Sequence, residues 1–276
     1  MEINMSSQDK EHYEFEIPEE GLDYDILDMA FNPTTRSFIE TNGIQSGMRV
    51  LDVGSGSGVM THYLAKRVGQ EGHVLSIDNS LEQLQRAERY CQQQGAGNVT
   101  FKQLSLYELE SLNETFDLIY CRFVLHHLYS PRLAIRLFYR ALNPGGIYLA
   151  EEGIVSSAFA YPSSKAWQGC RGALPLPPEE ETDGIQRDGE FGMKLFYWMK
   201  KSGFAIQSIK LIQPVLTTDE QKKKVLDGHI AFKKTALQQG KDEAEWAEER
   251  QALMDLANDD LAIIAFYQSC QVCGVK

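Results

Sequence analysis

The run Val50-Leu-Asp-Val-Gly-Ser-Gly-Ser-Gly58 decides how this chain is read. Its apolar first half, extended back to Met48, reads as a strand, and three glycines at alternate positions end it. A strand that turns into a helix through glycines brings bare backbone close to a ligand and presents helix N-terminal amides to it. The next apolar run, Val74-Leu-Ser-Ile77, ends on Asp78, 20 positions after Gly58. A carboxylate there takes both hydroxyls of a ribose. Together these features specify a nucleoside site at the carboxyl ends of the strands.

The loop also discriminates between nucleosides. A dinucleotide fingerprint needs glycine at its first, third and sixth positions. Counted from Gly54, the sixth position here is Val59, and the glycine stands one place earlier at Gly58. Asp52, just ahead of the loop, would repel a pyrophosphate but suits a cationic sulfonium or amino group. A nicotinamide-dependent oxidoreductase is therefore the weaker alternative.

Outward from the loop, short apolar runs alternate with helix-patterned segments, the signature of a mostly parallel sheet flanked by helices. Strands are expected at 48–53, 74–77, from 99, at 116–121, 147–150, 204–212 and 263–272, with helices at 59–68, 81–94, 132–142 and 191–201. Ser80 and Gln83 have capping-box spacing. Ser130-Pro131 reads as a helix start, and Asn143-Pro-Gly-Gly146 as its stop. Residues 1–40 form an N-terminal cap segment ahead of a domain at 41–276. At about 153–187 the rhythm breaks: Pro162, Pro175, Pro177, Pro178 and Glu179-Glu-Glu181 mark a lid-like insertion. Two more helices are expected near 220–238 and 242–256.

With 43% hydrophobic and 24% charged residues in 276, the chain can bury a full core. Its 27 basic and 39 acidic residues give a net charge of −12, which argues against a nucleic-acid partner. Five cysteines fit a reducing compartment. Cys270-Gln-Val-Cys273 has no second pair and reads as buried thiols in a strand, so no metal is expected. The polar, acidic start lacks the pattern of a signal peptide, and no apolar run approaches the ~20 residues that span a bilayer. These features imply a cytoplasmic protein without a membrane partner and leave its oligomeric state open.

The stretch from Met48 to Glu152 resembles the catalytic core of class I S-adenosylmethionine-dependent methyltransferases, in the small-molecule branch. The resemblance rests on the glycine loop, on Phe116-Asp-Leu-Ile-Tyr-Cys-Arg-Phe-Val-Leu-His-His-Leu128 and on Leu142-Asn-Pro-Gly-Gly146. It implies a Rossmann-like, doubly wound seven-stranded sheet whose last strand is antiparallel, with S-adenosyl-L-methionine as cofactor and a small-molecule acceptor. It also assigns the cofactor residues. Asp52 would anchor the methionine end. Gly54, Ser55, Gly56 and Gly58 would pass backbone under the cofactor. Asp78 would hold the ribose and Asn79 flank the adenine. Ser105 and Leu106 stand where the family often has an aspartate and an amide facing the ring. Arg122 would lie near the methionine carboxylate or the acceptor.

Methyl transfer from a sulfonium needs alignment and water exclusion, and a base only where the acceptor must lose a proton. His127, after the fourth strand, is the candidate base; packing before the helix at Ser130-Pro131 is the competing role. Glu151 and Glu152 end the fifth strand at the same edge. A methyltransferase-like scaffold without turnover is the other alternative, since a fold does not fix an activity.

Overall fold

The computed structural model describes residues 24–164, 167, 188–224 and 242–276. Helix α1 spans Tyr24–Thr41 and leads into strand β1, Arg49–Val53. Helix α2 (Val59–Val68), β2 (His73–Asp78), α3 (Leu81–Gln93) and β3 (Val99–Gln103) follow. After β4 (Phe116–Arg122) come α4 (Pro131–Ala141) and β5 (Leu142–Ile154). The chain continues through β6 (Phe159–Tyr161), α5 (Phe191–Lys201), β7 (Ala205–Ile212), β8 (Val215–Leu216), α6 (Glu243–Asn258), β9 (Ile263–Ala265) and β10 (Gln268–Val275).

Seven strands form one sheet in the order β3-β2-β1-β4-β5-β10-β7. Strand β10 runs antiparallel to both neighbours, β5 and β7, and the pairs among β1 to β5 are parallel. The order reverses at β1, which has β2 on one side and β4 on the other. That switch point opens a crevice at the carboxyl ends of the strands, where ligands of such sheets bind.

Side chains alternate across the sheet, so each strand feeds two cores. Val50, Val74, Leu118 and Leu149 meet Phe38 and Ile39 of α1 and Leu64 and Val68 of α2. Leu51, Ile77, Ile119 and Ala150 meet Ile135 and Phe138 of α4 and Leu195 and Met199 of α5. Among the described residues no helix is long and apolar enough to cross a membrane.

Three expectations need correction. The stretch 263–272 is two strands. Ile263–Ala265 pairs with β6 and β8 in a separate three-stranded sheet, and only Gln268–Val275 enters the main one. Apolar character alone does not show which sheet a strand joins. Strand β5 is far longer than 147–150, because Leu142 already pairs with Phe116 and Ile154 with Gln268. The capping box at Ser80 is half built: Ser80 Oγ accepts from the Gln83 amide at 3.4 Å, but the Ser80 amide donates to Asp78 Oδ1 at 2.9 Å.

In the proline-rich stretch, residues 159–161 are β6, whereas Trp167 is 6% exposed in a third cluster with Phe31, Leu253, Leu256 and Phe266. Residues 165–166 and 168–187, most of the expected insertion, lie outside the described residues, as do 1–23 and 225–241, which take in the 225–238 part of the helix expected near 220–238. The helix expected at 242–256 is α6, and there the capping box is complete, between Asp242 and Glu245.

Candidate nucleoside and acceptor site

The loop leaving β1 holds Gly54, Gly56 and Gly58 at φ 84°, 50° and 81°. L-residues avoid that region, so the turn needs glycine. Packing adds a second demand at two of the three. A Cβ on Gly54 would lie 2.5 Å from Val124 Cγ2, and one on Gly58 would lie 2.7 Å from the Ala87 backbone of α3. Gly58 is thus where α2 and α3 approach each other. It caps α2 without a side-chain hydrogen bond, and no acidic residue stands in the first turn. The positive end of α2 is left to whatever occupies the crevice.

Asp52 sits 2% exposed below this loop. Its Oδ2 accepts from Thr61 Oγ1 at 2.6 Å and Ser76 Oγ at 2.9 Å, and Ser55 Oγ lies 2.8 Å from Ser76 Oγ. Burial pushes its carboxyl up to about 6 despite those two hydroxyls. Asp52 therefore also ties α2 and the loop to β2.

Asp78 lies on the adjacent strand end. Burial raises its pKa, and the backbone amides of Ser80, Gly56, Ser55 and Asn79 act in the opposite direction. Those amides draw the carboxylate to the glycine loop. Asp78 pairs with Gln103 in register, its carbonyl accepts the Leu104 amide at 3.1 Å, and Gln103 Nε2 donates to the Asn79 carbonyl at 3.0 Å. Ser105 follows at once and caps the 3-10 turn Leu106–Leu112, its Oγ accepting from the Tyr107 amide at 3.3 Å. Asp78, Asn79, Ser105 and Leu106 are therefore gathered at one edge of β2 and β3. The donor set suits a ribose and a flat base: a carboxylate, a loop of close backbone, and an apolar residue beside a small hydroxyl.

Arg122 points to the other side of the crevice, toward α1. It donates to Asn32 Oδ1 at 2.7 Å and Thr35 Oγ1 at 3.3 Å, and pairs with Asp28 Oδ1 at 3.4 Å. Burial works against its charge, but Tyr120, Glu151 and Asp28 hold the guanidinium protonated. Glu151, fully buried, accepts from Thr35 Oγ1 at 2.7 Å, Ser269 Oγ at 2.7 Å and Gln271 Nε2 at 3.1 Å. Its polar bonds lock α1, β5 and β10 together.

Glu152 faces the opposite way. Its Oε1 accepts the amides of Val124 at 2.9 Å and Leu125 at 2.7 Å, and its Oε2 lies 2.7 Å from His126 Nδ1. A carboxylate 26 residues downstream thus caps the turn Leu125–His127 and orients the first histidine. The two imidazoles lie with centroids 3.8 Å apart and their planes tilted by 43°. Neither Glu151 nor Glu152 is a solvated strand end.

Beside the histidines lies an aromatic group that sequence reading did not assemble. Phe123 has φ 56°, strained for a bulky residue, and sits 5.1 Å from Phe31, 5.9 Å from Tyr267 and 6.4 Å from His126 between ring centroids. Three separate chain segments supply it, so no local spacing signals it. Phe159 and Tyr161, by contrast, are 41% and 70% exposed. Cys270 and Cys273 belong to cores on opposite faces of the sheet, and burial raises each thiol to about 11. They do not form one site.

Comparison with known proteins agrees with this geometry. Residues 44–173 match a protein family described as a methyltransferase domain. Over 118 residues the chain is 34% identical to the ubiquinone/menaquinone biosynthesis C-methyltransferase UbiE of Vibrio vulnificus, spanning 42% of this chain and 45% of that enzyme. The matched region is thus less than half of that relative's length. Among solved structures, the [4+2]-cyclase SpnF superimposes with a TM-score of 0.57 at 19% identity, over 89% of this chain and 81% of that one. A Haemonchus contortus phosphoethanolamine N-methyltransferase, solved with S-adenosylhomocysteine, gives 0.51 at 18% identity, over 89% of this chain and 52% of that one. At these identities the structural likeness establishes the fold. The family match places the likeness to a methyltransferase domain in residues 44–173, just under half of the chain.

Proposed function

We propose that this protein binds S-adenosyl-L-methionine at the β1–β2–β3 edge and transfers its methyl group to a small-molecule acceptor. The observation that carries the reading is Asp78, drawn against the glycine loop by amides of Ser55 and Gly56. Asp78 holds the ribose hydroxyls. Gly54, Ser55, Gly56 and Gly58 give backbone to the cofactor chain, and Asn79, Ser105 and Leu106 border the adenine. Asp52 supplies negative charge beneath the methionine end, and Arg122 fixes the wall that α1 forms above it. The bound cofactor supplies an electrophilic methyl group with a good leaving group already in place.

The chain's remaining task is alignment. Phe31, Phe123 and Tyr267 exclude water next to the histidines, which favours an in-line displacement. Where the acceptor must lose a proton, His127 takes it, and Glu152 positions the pair through His126. A small-molecule acceptor fits the net charge of −12, and a cytoplasmic setting fits the five cysteines.

Calorimetric titration with S-adenosylhomocysteine tests the reading: one site per chain is expected. Asp78→Ala should weaken it by about 1.5–3 kcal/mol, the scale of lost hydrogen bonds to a charged group. Binding of a nicotinamide dinucleotide in place of either adenosyl ligand would overturn the assignment.

A further inference from the structure

Away from the strand ends, a cavity of about 260 Å³ opens on the outer side of the helix layer. Arg36 of α1, His62, Tyr63, Lys66 and Arg67 of α2, and Tyr90 of α3 line it. Three of these are permanent cations, and no carboxylate is in the lining, although the chain as a whole carries −12. Glu40 of α1 is already engaged by two of the lining residues: it accepts from Tyr63 Oη at 2.6 Å and pairs with Arg67 at 3.6 Å. Arg36 lies over the Tyr63 ring, 5.2 Å from its centroid. Neither Arg36 nor Lys66 has an ion pair among the described residues.

His62 reports the same surplus of positive charge. Burial, Lys66 and Arg36 all lower its pKa. Its Nδ1 is shut off from water and has no hydrogen-bond partner among the described residues. Burial and the bond to Glu40 push the Tyr63 phenol up to about 12, so Tyr63 stays neutral and adds no compensating charge. Like charges held this close repel, and a bound anion of two charges would relieve that repulsion while it gains several partners at once.

We propose that this cavity is an anion site that takes a phosphate or phosphomonoester, independently of what the strand ends bind. Arg36 and Lys66 are the cations open to it, and Arg67 is shared with Glu40. His62 acquires its proton when the anion arrives. The volume is several times the ~30 Å³ that one water occupies in the liquid, enough for a phosphate with a small substituent. The rings of Tyr63 and Tyr90 flank that space.

The test uses the intact protein with inorganic phosphate as probe, against chloride at equal ionic strength. The ring signals of His62, assigned by their loss in His62→Gln, should shift saturably with phosphate. Its pKa should rise by about one unit, the effect of an opposite charge within a few ångströms. In the double variant Arg36→Gln/Lys66→Gln the phosphate response should weaken at least about tenfold, while S-adenosylhomocysteine affinity and melting temperature stay as they were. Phosphate shifts no larger than those of chloride, or an undiminished response in the double variant, would overturn the site.

Discussion

Asp52 carries its charge where the surroundings resist it, and that makes it a pH sensor for the crevice. Its carboxyl stands at about 6 in the folded chain, against about 3.9 for a free aspartate. The folded state therefore binds this proton more tightly than the unfolded one does. The contribution of Asp52 to stability falls as pH rises from about 4 to about 6 and is flat above. Ligand binding has the opposite slope, because a cationic amino group beside Asp52 favours the ionised form. Affinity for S-adenosylhomocysteine should drop on acidification below about pH 6, by up to about tenfold per unit. Asp52→Asn should flatten the profile, and calorimetry across that range checks both; equal affinity at either end refutes the electrostatic role. The histidine pair gives a second prediction. A positioned base contributes roughly 10²–10⁴-fold, so His127→Ala should cut turnover on that scale with cofactor affinity nearly unchanged. Glu152→Gln should lower turnover as well and shift its pH profile, since the amide replaces a carboxylate that accepts from Val124 and Leu125 and holds His126. Wild-type turnover in His127→Ala would leave alignment as the whole of catalysis. The two histidines are plain in the sequence, but their partner is not. Glu152 reaches them only because β5 pairs with β4 and sets Glu151 opposite Arg122.

Elements whose contacts are local could be read almost to the residue. Helix α2 has its expected limits, Val59 and Val68, and α5 its expected limits, Phe191 and Lys201, because glycines and apolar period mark both ends of each. Gly58 illustrates what local reading omits: the loop sequence announces a turn, while the contact with α3 comes from a residue 29 positions away. Gly58→Ala should accordingly cost more than a strained φ alone. Its Cβ meets the Ala87 backbone, which has no rotamer to move aside. A backbone in the left-handed region costs about 1–3 kcal/mol, and overpacking adds a similar amount, so the melting temperature should fall by several degrees. Gly95→Ala is the control: its φ is 75°, but nothing lies within 4 Å of an added Cβ. Equal losses in the two variants would mean that α2 and α3 yield and that close packing at Gly58 is unimportant. Strand β5 and the divided stretch 263–275 escaped local reading for one reason. Both extend or split according to distant partners, the chain end in one case and β6 with β8 in the other.

At the scale of the whole molecule, the seven-stranded sheet and its antiparallel last strand followed from the family resemblance, whereas the strand order and the place of α1 did not. The first 40 residues read as a cap laid on a finished domain, yet α1 supplies side chains to two of the three cores. Phe38 and Ile39 fill the face beside β1 and α2, and Phe31 joins the third cluster under the small sheet. Thr35 also satisfies Glu151, a carboxylate with no exposure at all. The magnitudes decide between cap and integral part. Burying three large apolar side chains contributes about 1.5–3 kcal/mol each. Leaving the buried Glu151 without the Thr35 hydroxyl costs about 1–3 kcal/mol more. That total rivals the roughly 5–15 kcal/mol by which a whole domain is stable. A chain that begins at residue 44, where the methyltransferase-domain match starts, should therefore lack a cooperative thermal transition and fixed near-ultraviolet dichroism, even though it retains the glycine loop and Asp78. Because loss of folding removes binding too, Thr35→Val in the intact chain separates the contributions. It keeps the apolar contacts and deletes only the hydroxyl that Glu151 accepts, so it should cost about 1–3 kcal/mol and leave the transition cooperative. If the shortened chain instead melts cooperatively within a few degrees of the intact protein and binds S-adenosylhomocysteine, then α1 is a detachable cover, and Arg122 is free to serve the crevice without it.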